Sequence, residues 1–114
     1  MGLGSQKGDT NEMNLVRFIN TQREWSERTF GPNPRTEGIL KHIEKEIQEV
    51  RANPTDLSEW ADIIILALDG AWRSGATAED ICFALQDKQA INFARTYPRT
   101  DDDVPSEHVK EEPK

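Results

Sequence analysis

The chain has 114 residues and a mass of 13.0 kDa, the size of one ordinary domain. With 35% hydrophobic and 31% charged residues, it is polar but can still form a small core. Its longest apolar run, residues 63–68, is far shorter than the roughly 20 residues that cross a membrane. The single cysteine, Cys82, excludes an intrachain disulfide, and the first residues lack a signal-peptide pattern. We therefore expect a soluble, cytoplasmic protein with no membrane partner.

The formal net charge is −7, from 14 basic and 21 acidic residues. Residues 101–114 contribute six acids and two lysines, or −4, which leaves −3 for residues 1–100. Because a nucleic-acid backbone is bound by a basic face, this balance argues against a nucleic-acid partner. A phosphate compound would need positive charge from elsewhere, and a bound metal ion is the obvious source.

Apolar residues at helical spacing predict four helices, and turn-forming Gly, Pro and Asn residues separate them. The predicted helices run over about residues 11–28, 36–51, 55–73 and 77–97. Short connections of this kind predict an all-α, antiparallel four-helix bundle. We expect one domain over residues 11–97, a flexible N-terminal tail over 1–10 and a flexible, disordered acidic C-terminal tail over 98–114.

Side chains at two helix starts fit N-terminal caps. Either Asp56 or Ser58 can accept hydrogen bonds from the free amides of the third helix. Thr77, with Asp80 three residues later, predicts a shortened capping box for the fourth helix.

Two pairs of acids stand at a spacing of three residues, an ExxE motif at 46–49 and an ExxD motif at 59–62. Residues three apart share one side of a helix, so each helix presents two carboxylates together. The third helix is apolar nearly all round over residues 60–68, which predicts that Asp62 is enclosed. Enclosed carboxylates need a cation, and hard divalent ions bind oxygen ligands. The predicted metal ligands are Glu46, Glu49, Glu59 and Asp62. The alternative is that the first pair lies on an ordinary solvated face beside Lys45.

A stripe on the fourth helix changes from apolar to cationic toward the C-terminus. We expect this stripe to face the core. Its members are Ile81, Leu85, Lys88, Asn92 and Arg95. Lys88, Asn92 and Arg95 carry donors suited to phosphate oxygens, and we predict that they bind phosphate. Alternatively, the long cationic stems cover the core while their charged ends reach water.

The first helix carries polar and aromatic side chains that suit a nucleobase or sugar. Planar amides can hydrogen-bond a base edge while an aromatic ring stacks on its face. The predicted base and sugar contacts are Asn20, Gln22, Trp25 and Phe30. The alternative is that Trp25 belongs to the core.

Two further residues lie near the acidic motifs. Asp69 could be an extra metal ligand, but pairing with Arg73, four residues later, is the favoured interpretation. His42, one turn before Glu46, could contact a phosphate or have no role. The chain has no ExxH motif, which argues against a di-iron carboxylate bundle.

These motifs, in this order, resemble the all-α nucleoside triphosphate pyrophosphohydrolases of the MazG-like superfamily. The matching elements are the ExxE motif at 46–49, the ExxD motif at 59–62, and Lys88, Asn92 and Arg95 downstream. The stretches 35–38, 42–46 and 68–73 are similar to the short phage and bacterial dATP/dGTP diphosphohydrolase-like group. The resemblance covers roughly residues 13–98.

The resemblance implies hydrolysis of a (deoxy)nucleoside triphosphate, in particular dGTP or dATP, between the α and β phosphates. It implies two or three Mg²⁺ or Mn²⁺ ions on the four acids, with Glu46 and Glu49 catalytic and Glu49 accepting the proton of water. It also implies a homo-oligomer, a dimer or tetramer, and, if the chain is phage-encoded, action in the host cytoplasm on purine deoxynucleotide pools. The alternatives are a house-cleaning hydrolase of non-canonical nucleotides and a non-enzymatic helical interaction module.

Overall fold

A computed structural model describes residues 13–99 and 103–109, and these residues form four α-helices and no β-strand. The helices are α1 (Leu15–Phe30), α2 (Thr36–Ala52), α3 (Leu57–Arg73) and α4 (Ala78–Ala94). The all-α prediction and the number of helices within the described part are confirmed. The predicted N-terminal tail over 1–10 lies outside the described residues, as do positions 11 and 12 of the predicted first helix.

Local chemistry explains where α1 begins and ends. The side chain of Asn14 accepts a hydrogen bond of 3.0 Å from the backbone N–H of Arg17, which satisfies one free amide of the first turn. Gly31 ends the helix with a φ of 87°, a left-handed conformation that side chains other than glycine rarely adopt.

The predicted caps of α3 and α4 are confirmed. Asp56 is the cap of α3, because its Oδ1 accepts a 3.0 Å hydrogen bond from the backbone N–H of Ser58. At α4, Thr77 Oγ1 accepts from the N–H of Asp80, and Asp80 Oδ2 accepts from the N–H of Thr77, both at 3.0 Å. These reciprocal bonds complete the capping box.

The chain divides into two compact units, Met1–Cys82 and Phe83–Lys114. In the first unit, α3 packs against both α2 and α1. Its core combines buried side chains from α1, α3 and the first turns of α4, which are Ile19, Leu68, Trp72, Ala78 and Ile81. Ile39 and Val50 are the buried apolar residues of α2. The short connection over residues 53–56 makes α2 and α3 a helical hairpin, and this hairpin carries both acidic motifs.

The second unit contains the rest of α4 and the chain that follows it. Within this unit, the N–H of Val109 donates a 2.5 Å hydrogen bond to the carbonyl of Thr96, and the rings of Tyr97 and His108 meet edge to face at 6.0 Å. The predicted flexible tail over 98–114 falls partly outside the described residues and stays a prediction.

The prediction that Leu85 faces the core is wrong, since 52% of this residue is exposed. Positions 83, 85, 91 and 93 are all apolar but point in different directions around α4, so the helix has no single apolar stripe. The core-facing line therefore ends near Ile81, which is 6% exposed.

The third helix, although apolar nearly all round over residues 60–68, is not buried on every side. Leu57, Trp60 and Ile64 are exposed and lie on one side of α3, which neither α1 nor α2 covers. Within the described residues, no helix is long and apolar enough to cross a lipid bilayer.

Candidate active site

Three carboxylates of the α2–α3 hairpin converge. Glu46 and Glu49 extend from α2 and Glu59 from the first turn of α3, and one oxygen of each lies within 4.8 Å of the others. The spacing along each helix brings Glu46 and Glu49 to the same side, and hairpin packing places Glu59 opposite them. The structure thus brings together three of the four predicted metal ligands.

Glu46 is the most buried of the three, with an exposed fraction of 6%. Its Oε1 lies 3.2 Å from Nε2 of His42, while its buried Oε2 has no hydrogen-bond partner. Hydrogen bonding to Glu49, which only a protonated Glu46 can donate, raises the pKa of Glu46. Burial and the charges of Glu49 and Asp62 raise this pKa further, and His42 opposes them.

The other two carboxyls of the cluster shift in opposite directions. Accepting the hydrogen bond from Glu46 lowers the pKa of Glu49, and the nearby Lys45 contributes to the same shift. Burial raises the pKa of Glu59, and the negative charge of Glu49 adds to this effect. These opposed shifts arise because the three carboxyl groups lie together at one end of the hairpin, where each negative charge disfavours the next.

A divalent cation fits this cluster on two grounds. The buried Oε2 of Glu46 is a polar atom without a partner, which is costly unless something positive reaches it. Three carboxylate oxygens from different turns are also the donor type that Mg²⁺ and Mn²⁺ prefer. The residues present can therefore hold a hard divalent ion.

The prediction that Asp62 is enclosed is wrong, because this residue is exposed. The apolar run around it suggested burial, but Asp62 lies on the same side of α3 as Ile65 and Asp69, where the open cavity exposes it. Its charge still acts on Glu46, and both residues line that cavity. Its role as a metal ligand remains a prediction.

The cavity has a volume of about 420 Å³ and lies between α1, α2 and α3. Glu46 and Asp62 contribute acidic groups to it, whereas Trp25 and Phe30 form an aromatic wall, with ring centroids 5.6 Å apart at 88°. Both aromatic residues are half exposed, so Trp25 is not a core residue. The cavity offers an aromatic surface and two acidic side chains to one ligand, and one of these acids, Glu46, also belongs to the carboxylate cluster.

A buried polar network lies behind the aromatic wall. Asp69 accepts hydrogen bonds from Gln22 Nε2 at 2.8 Å, from Ser26 Oγ at 2.5 Å and from Arg73 Nε. Burial would raise the pKa of Asp69, but these hydrogen bonds outweigh it and hold the pKa below its ordinary value. The favoured pairing of Asp69 with Arg73 is confirmed.

This network bears on two predicted base contacts. Gln22 uses its Nε2 for Asp69, and its Oε1 accepts a 2.9 Å hydrogen bond from the indole N–H of Trp72. Its amide thus has a structural role although it lines the cavity. Asn20 is exposed and does not line this cavity. Base or sugar binding by Asn20 and Gln22 remains a prediction without support from this geometry.

The predicted phosphate-binding residues belong to the second unit. Lys88 and Arg95 are exposed, and Asn92 is half-buried. The hydroxyl of Tyr97 donates a 3.2 Å hydrogen bond to Oδ1 of Asn92. Phosphate binding by these three residues stays a prediction.

The motif analysis assigned no role to two residues in or near the pocket, Arg35 and Ser26. Arg35 lines the cavity, with its guanidinium carbon 4.6 Å from the centroid of the Phe30 ring. Ser26 is fully buried and joins the Asp69 network. Spacing within a helix could not reveal either role, because each depends on a partner outside the residue's own helix.

The fold and the acidic hairpin place the chain among all-α proteins of the MazG-like fold. The cyanophage S-2L MazG-like pyrophosphohydrolase, solved with dGDP and three catalytic Mn²⁺ ions per active site, matches with a TM-score of 0.70 and 30% identity. The match covers 87% of this chain and 100% of the cyanophage chain.

A model of the dATP/dGTP pyrophosphohydrolase family matches residues 18–114. The chain belongs to this family. It is 42% identical over 97 residues to the Eaa protein of Salmonella phage P22, covering 85% of this chain and 30% of that protein. It is 40% identical over 79 residues to a dATP/dGTP diphosphohydrolase of Salmonella phage PMBT28, covering 68% of this chain and 26% of the relative. The chain thus spans less than a third of the length of these curated relatives.

Proposed function

We propose that this protein is a metal-dependent nucleoside triphosphate pyrophosphohydrolase acting on dGTP and dATP. The observation that carries the proposal is the cluster of Glu46, Glu49 and Glu59 beside a cavity with an aromatic wall. A single nucleotide could place its phosphates toward the acids and its base against Trp25 and Phe30. Family membership and the cyanophage neighbour with dGDP and Mn²⁺ support the same substrate class.

In the proposed reaction, water attacks the α phosphorus, and the bond from that phosphorus to the α–β bridging oxygen breaks. The products are a nucleoside monophosphate and pyrophosphate. Glu46, Glu49 and Glu59, with Asp62 at the rim of the cavity, would hold two or three Mg²⁺ or Mn²⁺ ions. When bound, such ions supply Lewis-acid charge that neutralises the phosphate oxygens.

The protein's own groups have distinct tasks in this reaction. Glu49 has a lowered pKa, so it is ionised at neutral pH and can accept the proton that the attacking water loses. Nε2 of His42 contacts Oε1 of Glu46 and orients this carboxylate. Lys88, Asn92 and Arg95 would donate to the phosphate oxygens as negative charge develops on the leaving pyrophosphate.

We also propose that the protein works as a homo-oligomer, a dimer or tetramer, through the exposed side of α3. Leu57, Trp60 and Ile64 leave an apolar stripe on this helix that a second copy would cover. The phage relatives support action in the host cytoplasm on purine deoxynucleotide pools.

Product analysis tests the proposed activity. The protein is incubated with each of the four deoxynucleoside triphosphates, and with oxidised purine triphosphates, in the presence of Mg²⁺ or Mn²⁺. We expect monophosphate and pyrophosphate from dGTP and dATP, and no turnover by Glu49→Gln. Release of orthophosphate alone would contradict α–β cleavage, and preference for the oxidised nucleotides would point to a house-cleaning role.

A further inference from the structure

Arg35 is a cationic side chain of the cavity that has no assigned partner. It immediately precedes α2, and its guanidinium lies over the face of Phe30. Within the part of the chain that the structure describes, its side chain makes neither a hydrogen bond nor an ion pair. A guanidinium carries five N–H donors in a planar fork, so donors remain available to a ligand in the cavity.

The other polar groups near the aromatic wall are already engaged. Gln22 donates to Asp69 and accepts from Trp72, and Asp69 accepts from three side chains. Among the described cavity-lining residues near Trp25 and Phe30, Arg35 is therefore the charged side chain that offers several N–H donors to a ligand.

Arg35 lies about three helical turns before the acidic cluster along α2. Arg35 precedes Glu46 by eleven residues, which corresponds to about 16 Å along a helix axis. Phosphates drawn to cations on Glu46 and Glu49 would lie at the far end of the cavity from Arg35. The group that reaches Arg35 is then the base, held against the aromatic rings.

We propose that Arg35 reads the edge of the base and selects guanine over adenine. Guanine presents two adjacent acceptors, O6 and N7, that match the guanidinium fork, whereas adenine presents the N7 acceptor beside the N6 donor. The N6 donor would meet an Arg35 N–H, and neither group can accept a hydrogen bond. This inference rests on the proposed function, because it assigns a base preference to the same cavity.

Three variants and two substrates test the proposal. The ratio of kcat/KM for dGTP to that for dATP is measured for the wild-type protein, Arg35→Lys, Arg35→Gln and Arg23→Gln. Arg23 is a matched control, since it also stacks on a ring, that of Trp72, but does not line the cavity. The affinities for dGMP and dAMP, measured by calorimetry, provide a readout that does not depend on turnover.

We expect the wild-type ratio to favour dGTP by at least about fivefold, as for one bidentate contact with a base. Arg35→Lys keeps a cationic donor but loses the planar fork, so it should lower the ratio while still favouring dGTP. Arg35→Gln should favour dATP, since an amide matches N7 and N6 of adenine. Arg23→Gln should leave the ratio unchanged, and dGMP and dAMP affinities should follow the same order.

Two results would overturn the assignment. A ratio that stays the same in both Arg35 variants would show that Arg35 does not read the base. An equal loss of kcat/KM for dGTP and dATP in the Arg35 variants would show that Arg35 contacts a phosphate or the sugar instead of the base. Either result, with pyrophosphate still released by the wild-type protein, would leave the proposed function intact, whereas absence of pyrophosphate from every nucleotide would reject that function itself.

Discussion

Arg73, at the end of α3, donates a 2.8 Å hydrogen bond to the backbone carbonyl of Gly31, 42 residues earlier in the chain. Its Nη1 also donates to the carbonyl of Asn33 at 2.6 Å, and its Nη2 donates to Ser26 Oγ at 2.9 Å. Arg73 thus ties α3 to the α1–α2 connection that follows Phe30. The aromatic wall of the cavity therefore depends on a buried ion pair behind it.

We predict that Asp69→Asn destabilises the fold by about 3 kcal/mol, because it leaves the Arg73 guanidinium buried without its negative partner. Urea denaturation followed by circular dichroism measures the free energy of unfolding. Glu24→Gln is the control, since Glu24 is exposed on α1. A loss below about 0.5 kcal/mol, the range of ordinary surface changes, would contradict a stabilising role for the pair.

Stability should also fall in acid through Asp69. The pKa of Asp69 is below its ordinary value of 3.8 in the folded protein, so folding favours the ionised form. The stabilisation from ionised Asp69 is complete above the pKa that this residue has in the unfolded chain. It is lost as the pH falls through the lower pKa of the folded protein. We expect the urea midpoint to drop below pH 4, and the drop to be smaller in Asp69→Asn. Parallel pH curves for both proteins would exclude this residue as the cause.

Metal binding should raise the melting temperature. At a free Mn²⁺ concentration of about 100 times Kd, ligand binding stabilises the folded state by about 2.7 kcal/mol. Glu46→Gln and Glu49→Gln should each lose most of this gain. Because Glu46→Gln also removes a crowded negative charge, it should melt at a higher temperature than the wild type without metal.

The matched control for metal binding is Glu44→Gln, an exposed acid on the same helix. It should retain the Mn²⁺ response of the wild type. If all four proteins respond equally, the ion binds somewhere other than the carboxylate cluster.

The aromatic wall should act on nucleotide affinity. Phe30→Ala removes a ring on which the base can stack, and such stacking contributes about 1–3 kcal/mol per base. We expect KM to rise about fivefold or more while kcat changes little, since the stacking is present in both the bound state and the transition state. Phe93→Ala, an exposed ring of the second unit, should leave KM unchanged. A fall in kcat at constant KM would mean that Phe30 acts on the chemical step.

Assembly should depend on the apolar stripe of α3. Ile64 is 59% exposed, and Ile64→Lys places a charge in the middle of the stripe. We expect light scattering to show a dimer or tetramer for the wild type and a smaller species for this variant. Leu40→Lys, at an exposed apolar position on α2, should keep the wild-type mass. A monomeric wild-type protein would disprove the proposed assembly.

Much of the local structure follows from the residues alone. The spacing of apolar side chains predicted four helices. The cap at Thr77, and a cap of α3 at either Asp56 or Ser58, were predicted because a cap acts within a few residues. The pairing of Asp69 with Arg73 was predicted for the same reason, as one helical turn separates them. In each case the interacting groups lie on one short stretch of chain.

Features that join different helices needed the tertiary structure. Glu59 joins Glu46 and Glu49 only because α3 packs along α2, and Asp62 is exposed because it faces the open cavity between the helices. Helical spacing decides which residues share a face but leaves open what that face contacts. Packing and loop closure decide what each face contacts. They bury Glu46 and form the cavity that Arg35 lines.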